Sequence, residues 1–142
     1  MFKNVLVGTD GSDTADKAVQ AAADLARQLG AQLHIATAYR STGPGLGEAS
    51  GAALIESPAV AKEAAESVTE HAASSFGEGL QVTRHSISGH AADGILDCAE
   101  KVNADLIVVG SKGMHGARRF LGSVPNSVAH GAQCAVLIVK TD

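Results

Sequence analysis

The stretch KNVLVGTD, Lys3–Asp10, is a short apolar run closed by a turn signal, and it reads as a strand buried on both faces. A helix is expected directly behind it. Ser12 is placed to cap that helix, Ala15, Ala18, Val19, Ala22, Leu25, Ala26 and Leu29 fall on one apolar stripe, and Gly30 is placed to end it. QLHIATA, Gln32–Ala38, then reads as a second strand.

Beyond it the pattern repeats. From Tyr39 to about Glu56 the composition shifts to Gly, Ser and small residues, which predicts an unusually long loop. Ser57-Pro58 opens a second helix, with Ala61, Ala64, Ala65, Val68, Ala72 and Phe76 on its expected buried face and Gly77 and Gly79 ending it. LQVTRHSI, Leu80–Ile87, reads as a half-exposed strand at a sheet edge, with Leu80, Val82 and Arg84 on one face. A third helix runs from Ser88-Gly89 to about Val102, with Ile95, Leu96, Ala99 and Val102 inward. DLIVVG, Asp105–Gly110, is the most apolar strand and is expected at the sheet's centre. Ser123 is placed to cap a helix from Val124 to about His130, and AVLIVK, Ala135–Lys140, makes a fifth strand. Alternation of this kind requires right-handed crossovers and a parallel sheet covered by helices on both faces. The expectation is a single doubly wound α/β domain over residues 1–142, Rossmann-like, with strand order 3-2-1-4-5.

Composition narrows what such a domain can do. Hydrophobic residues make up 45% of the chain but aromatic ones only 3%, with no Trp, so the core falls to Ala, Val, Leu and Ile. A net charge of −4, with no basic run longer than Arg118-Arg119, speaks against a nucleic-acid surface. Cys98 and Cys134 stand apart without CxxC spacing, as expected of buried free thiols in a reducing compartment. With the first strand beginning by Lys3 no signal peptide is expected. Nor does any apolar run approach the ~20 residues that span a bilayer, so a cytoplasmic protein without membrane contact is the expectation.

In open parallel sheets ligands bind at the carboxyl ends of the strands, where the connections switch sides. The loops there are GTDGS, after strand one, and GSKGMHGARRFLGSV, residues 110–124, after strand four. The second holds Gly110, Gly113, Gly116 and Gly122, a Gly-Ser pair at the helix start, and Lys112, Arg118 and Arg119. Glycine lets the backbone approach an anion closely, and a helix amino terminus offers it unpaired N–H groups. A turn-only role remains the plainer alternative for each single glycine. Neither a GxxxxGK[ST] P-loop nor a GxGxxG after strand one is present.

Taken together these features resemble the universal stress protein family, in its ATP-binding branch. The resemblance runs along essentially the whole chain, through GTDGS, the loop after strand two, LIVVGSKG, LGSVPNSVAH and the closing VLIVK. That branch carries G-x2-G-x9-G-[ST], which maps onto Gly110, Gly113, Gly122 and Ser123. Here Met114 to Leu121 provide eight spacer residues where the pattern has nine. The resemblance implies that Asp10 bonds the ribose, that Thr37 and Ala38 meet adenine through backbone groups, and that Val109 lines the base pocket. Gly110, Gly113, Ser123 and Val124 would hold ribose and phosphates, with Gly8, Thr9, Ser111 and Gly122 completing the nucleotide-binding set. For Asp10 the ordinary alternative is an Asx-turn. The family further implies ATP with Mg²⁺, and a homodimer joined through Ala135 to Lys140.

Catalysis has little to draw on. Asp10 and Asp13 are the carboxylates available for Mg²⁺, and His90 and His115 the candidate proton-transfer groups, while His34, His71, His85 and His130 lack metal-ligand spacing. At most slow hydrolysis or self-phosphorylation on Ser111 or Ser123 is expected. Two alternatives stay open: a dimeric interaction module that binds cyclic AMP or no nucleotide, and an adenylating enzyme whose SGGxDS-like loop GTDGSDT only loosely matches.

Overall fold

The computed structural model describes residues 1–40, 57–111 and 121–141. Along the chain run β1 (Asn4–Gly8), α1 (Asp13–Leu29), β2 (Gln32–Tyr39), α2 (Pro58–Phe76), β3 (Val82–Ser88), α3 (Ala91–Lys101), β4 (Leu106–Gly110), α4 (Ser123–Gly131) and β5 (Ala135–Val139). The five strands form one sheet in the order β3-β2-β1-β4-β5, every pairing parallel. This is the doubly wound, Rossmann-like arrangement that the alternation predicts.

Strand alternation divides the core in two. Val5 and Val7 of β1, Leu33 and Ile35 of β2, and Leu106 and Val108 of β4 face one side, where Ala18, Ala22, Ala23 and Ala26 of α1 pack on them. Leu6, Ala36, Ile107 and Val109 face the other side, against Ile95, Cys98 and Ala99 of α3 and Val128 of α4. Alanines along α1 let the helix axis come close to a β-branched sheet, which is how a chain so poor in aromatics closes its core. The caps follow the sequence. Ser12 accepts a bond from Ala15 N–H and Ser57 one from Val60 N–H, while Gly30 ends α1 at φ 65°.

Four expectations are corrected. The middle of the sheet is β1, with β4 beside it; both are interior strands, so their apolarity does not rank them. Leu29 is 44% exposed, because the last turn of α1 runs past the sheet. Ala64 is exposed too, since α2 buries the stripe Ala61, Ala65, Thr69 and Ala72, and Ala64 lies off it. Finally, Ser123 is the first helical residue of α4 and Gly122 its N-cap, with no side-chain capping bond. Gly122 is extended (φ −59°, ψ 163°), so the helix starts one residue earlier than a serine cap requires. Arg84, on the edge strand, is exposed. Of the two free thiols, Cys98 is buried and Cys134 half-buried. The expected long loop falls largely on residues 41–56, outside the described residues.

Candidate functional site

Where β1 and β4 end, their connections leave toward opposite faces, and a cavity of about 390 Å³ opens between them. That volume lies in the range of small-ligand sites, about 300–1,000 Å³. Gly8, Thr9, Asp10, Ala38, Val109, Gly110, Ser123 and Val124 line it, so eight of the twelve predicted residues converge there. Thr37, Ser111 and Gly122 stand just outside the lining, and Gly113 lies outside the described residues, as do Lys112, His115, Gly116, Arg118 and Arg119.

The loop after β1 is fixed by its own polar groups. Thr9 donates its N–H to the Ala36 carbonyl (2.9 Å), its carbonyl accepts the Thr37 hydroxyl (2.8 Å), and its own hydroxyl accepts Gly11 N–H (3.1 Å). Gly11 takes φ 83°, the left-handed conformation this turn needs. Asp10 accepts Ser12 N–H on Oδ1 (2.9 Å), which is the Asx-turn. The turn occupies one carboxylate oxygen and leaves the other available as an acceptor at the cavity.

Strand parity separates Thr37 from Ala38. Because Ala36 turns its carbonyl to β1, alternation turns the N–H and carbonyl of Ala38 the same way, past the end of β1 and into the cavity. Thr37 and Tyr39 turn their backbone groups to β3, as the bond from Gly89 N–H to the Tyr39 carbonyl (2.8 Å) shows for the latter. Around Ala38 the wall is apolar, formed by Ala36, Ala91, Ile95 and Val109. Ala91 and Ile95 were not predicted as site residues, although Ile95 already stood on the inward stripe of α3.

The wall at α4 offers backbone donors. Gly122 N–H is taken by the Ser111 carbonyl (3.0 Å), and Pro125 has no N–H, so the first turn of α4 presents those of Ser123 and Val124. Asp13 and Asp16 occupy the first turn of α1 and Asp93 that of α3, whereas α4 has no acidic residue there. An anion in this cavity is therefore drawn to α4 and repelled from the other two helix starts.

Two of the predicted glycines also serve packing. A Cβ on Gly8 would stand 2.5 Å from Ile95 Cδ1, and one on Gly110 would stand 2.9 Å from Thr141 Cγ2. Thr141, with Ser12, Thr14 and Pro125, belongs to the lining that sequence reasoning missed. The first-turn position of Ser12 and Thr14 was a usable signal; nothing in the sequence marked Thr141. Among the described residues no group of three His, Cys, Asp or Glu could hold a metal ion. His90 occupies the N-cap position of α3 without a side-chain capping bond, and its Nδ1 lies 3.2 Å from an Arg40 guanidinium nitrogen, outside the cavity lining.

A second cleft, about 420 Å³, lies at the other end of β4 and β5, between the carboxyl ends of α3 and α4 and beside Glu100. Helix carbonyls and a carboxylate make it unfit for an anion.

Fold and cavity together define an open parallel α/β protein with a cavity of small-molecule size at the switch point, apolar on one wall and anion-favouring on the other. The chain belongs to the universal stress protein family, whose model matches residues 1–140. It is 36% identical over 146 residues to the universal stress protein Rv1636 of Mycobacterium tuberculosis, spanning 99% of this chain and 97% of that protein. Among solved structures it is similar to a universal stress protein in complex with cAMP, at 34% identity, 99% coverage of both chains and a TM-score of 0.77. It is also similar to the Archaeoglobus fulgidus universal stress protein in complex with dAMP, at 26% identity, 98% coverage of both chains and a TM-score of 0.71. Among the described residues no helix is long and apolar enough to cross a membrane.

Proposed function

We propose that this chain is a regulatory adenine-nucleotide binder that takes ATP in the switch-point cavity. The observation that carries the reading is one cavity with two unlike walls: Ala36, Ala38, Ile95 and Val109 for a base, and the acid-free first turn of α4 for phosphate. Ala38 N–H and carbonyl would read the edge of adenine, Asp10 the ribose, and Ser123 and Val124 the phosphates, with Gly113 joining them by its place in the glycine motif. Asp10 is the one carboxylate in the described lining, so Mg²⁺ would enter on the triphosphate rather than on a preformed protein site. The free thiols Cys98 and Cys134 suit a reducing compartment such as the cytoplasm. A homodimer through β5 is part of the same proposal.

Cyclic AMP is the second reading, favoured by the 34% identical relative solved with that ligand. Calorimetric titration of the purified chain with ATP, AMP and cyclic AMP tests both. The expected outcome is saturable binding of one molecule per chain, tightest for ATP. Tighter binding of cyclic AMP than of ATP selects the second reading, and no heat from any of the three overturns the nucleotide assignment.

A further inference from the structure

We propose that Thr141 is a ligand-contacting residue whose hydroxyl donates a hydrogen bond to the nucleotide's phosphate; this rests on the nucleotide reading above. Thr141 is 1% exposed and lines the cavity, yet its Oγ1 has no hydrogen-bond partner among the described residues. A buried hydroxyl without a partner costs stability, and native chains keep few of them without a use.

Its place across the sheet says which part of a ligand it meets. Ala38 and Gly110 lie at the carboxyl ends of β2 and β4, and Asp10 and Thr141 just beyond those of β1 and β5; in the order β2, β1, β4, β5 these strands are successive neighbours in the sheet. At ~4.8 Å per strand, Thr141 stands about 14 Å across the edge from Ala38. With the base against the apolar wall at β2 and α3, the far end of the ligand is its phosphate.

The corner is equipped for an anion. Thr141 N–H donates to Ser111 Oγ (3.2 Å), so the Ser111 hydroxyl keeps its own proton to give. Lys17 Nζ donates to the Thr141 carbonyl (3.2 Å), which holds an ammonium beside the same residue. Gly110 makes the approach possible: a Cβ there would fall 2.9 Å from Thr141 Cγ2 and 3.7 Å from Oγ1. Thr141 follows the last residue matched by the family model, so it supplements the glycine motif from outside it.

The test is calorimetry of the full chain with adenosine, AMP and ATP, comparing wild type, Thr141→Val and Thr141→Ser, with the thermal midpoint of each free protein measured alongside. Thr141→Val keeps the shape and deletes the donor. The expected result is a loss of roughly tenfold or more in AMP and ATP affinity, the scale of one hydrogen bond to a charged acceptor, with adenosine unchanged. The midpoint of free Thr141→Val should be equal or higher, because an unpartnered hydroxyl has gone, and Thr141→Ser should bind as wild type does. Should the valine variant not fold, Thr141→Ala deletes the same donor without added bulk and carries the same expectation. Wild-type affinity for AMP and ATP in a folded donor-deleted variant overturns the proposal. An equal loss for adenosine overturns the phosphate contact. If wild type binds none of the three, the nucleotide reading itself falls, an outcome distinct from either.

Discussion

His34 on β2 and His85 on β3 stack with ring centroids 5.3 Å apart, and His34 Nδ1 lies 3.1 Å from His85 Nε2. One proton fits between those nitrogens, so the pair is suited to two neutral rings. His34 Nε2 is buried without a partner among the described residues. An orphaned acceptor costs less than an orphaned N–H, so His34 carries its proton on Nδ1 and gives it to His85. Both imidazoles are held below the usual histidine range: His34 by burial and then by His85, His85 by burial and then by the Lys101 ammonium. The unfolded chain, whose histidines titrate near ~6.5, therefore binds more protons than the folded one just below that pH. The stability this contributes is complete above ~6.5 and is lost as the pH falls from there through the depressed folded values. Urea midpoints should accordingly fall between pH 7.5 and pH 5.5. Replacing both residues, as His34→Gln with His85→Gln, should flatten that slope; an unchanged slope would place the proton uptake elsewhere.

At the scale of elements, the first turn of α4 is the part of the site most open to a clean test. Ser123 is the first helical residue, its N–H has no intrahelical partner, and Gly122 before it is extended. Proline is welcome at such a position and tolerates such a predecessor. Ser123→Pro therefore deletes a donor N–H and a hydroxyl while leaving the helix start intact. Nucleotide affinity should fall by about 1.5–3 kcal/mol, roughly ten- to a hundredfold, with the thermal midpoint nearly unchanged. Full affinity in this variant would move the phosphates away from α4. The same element shows what sequence could and could not give. Ser12, Gly30, Ser57 and Pro58 mark their helix ends through local chemistry, and the structure keeps them there. Ser123 looks like the same kind of cap, but the conformation of Gly122 decides against it. Leu29 and Ala64 carry the right residue type, but one ends its helix and the other lies off its helix's buried stripe, and residue type alone does not decide burial at such positions. In the site, the switch-point loops were legible from strand order. The difference between Thr37 and Ala38 was not, because it depends on where β1 stops against β2. Thr141 was invisible for a related reason: only the alignment of β5 with β4 brings it to Gly110.

For the whole molecule the unresolved demand is the outer edge of β5. Its inner edge pairs with β4, and among the described residues no strand covers the other side. Ser111 N–H donates to the Val139 carbonyl, so Val139, and by alternation Leu137 and Ala135, turn their backbone groups to β4. Val136 and Ile138 turn theirs outward, while their side chains pack beneath α3 and α4. A short, apolar edge of this kind invites a partner strand, and a second copy would join two five-stranded sheets into one. Proline can occupy an edge strand where its missing N–H points away from the sheet, which is the position of Val136. Val136→Pro should thus spare the β4 ladder, block addition of a second chain, and cost the monomer little more than a side chain's worth of packing. In sedimentation velocity the wild type is expected as a dimer, and Val136→Pro as a folded monomer at the same concentration. A dimer that survives this substitution with its circular dichroism intact would put the interface on another face. The free edge of β5 would then need a different protection, because the sequence places neither Lys nor Pro within Ala135–Val139 to discourage pairing.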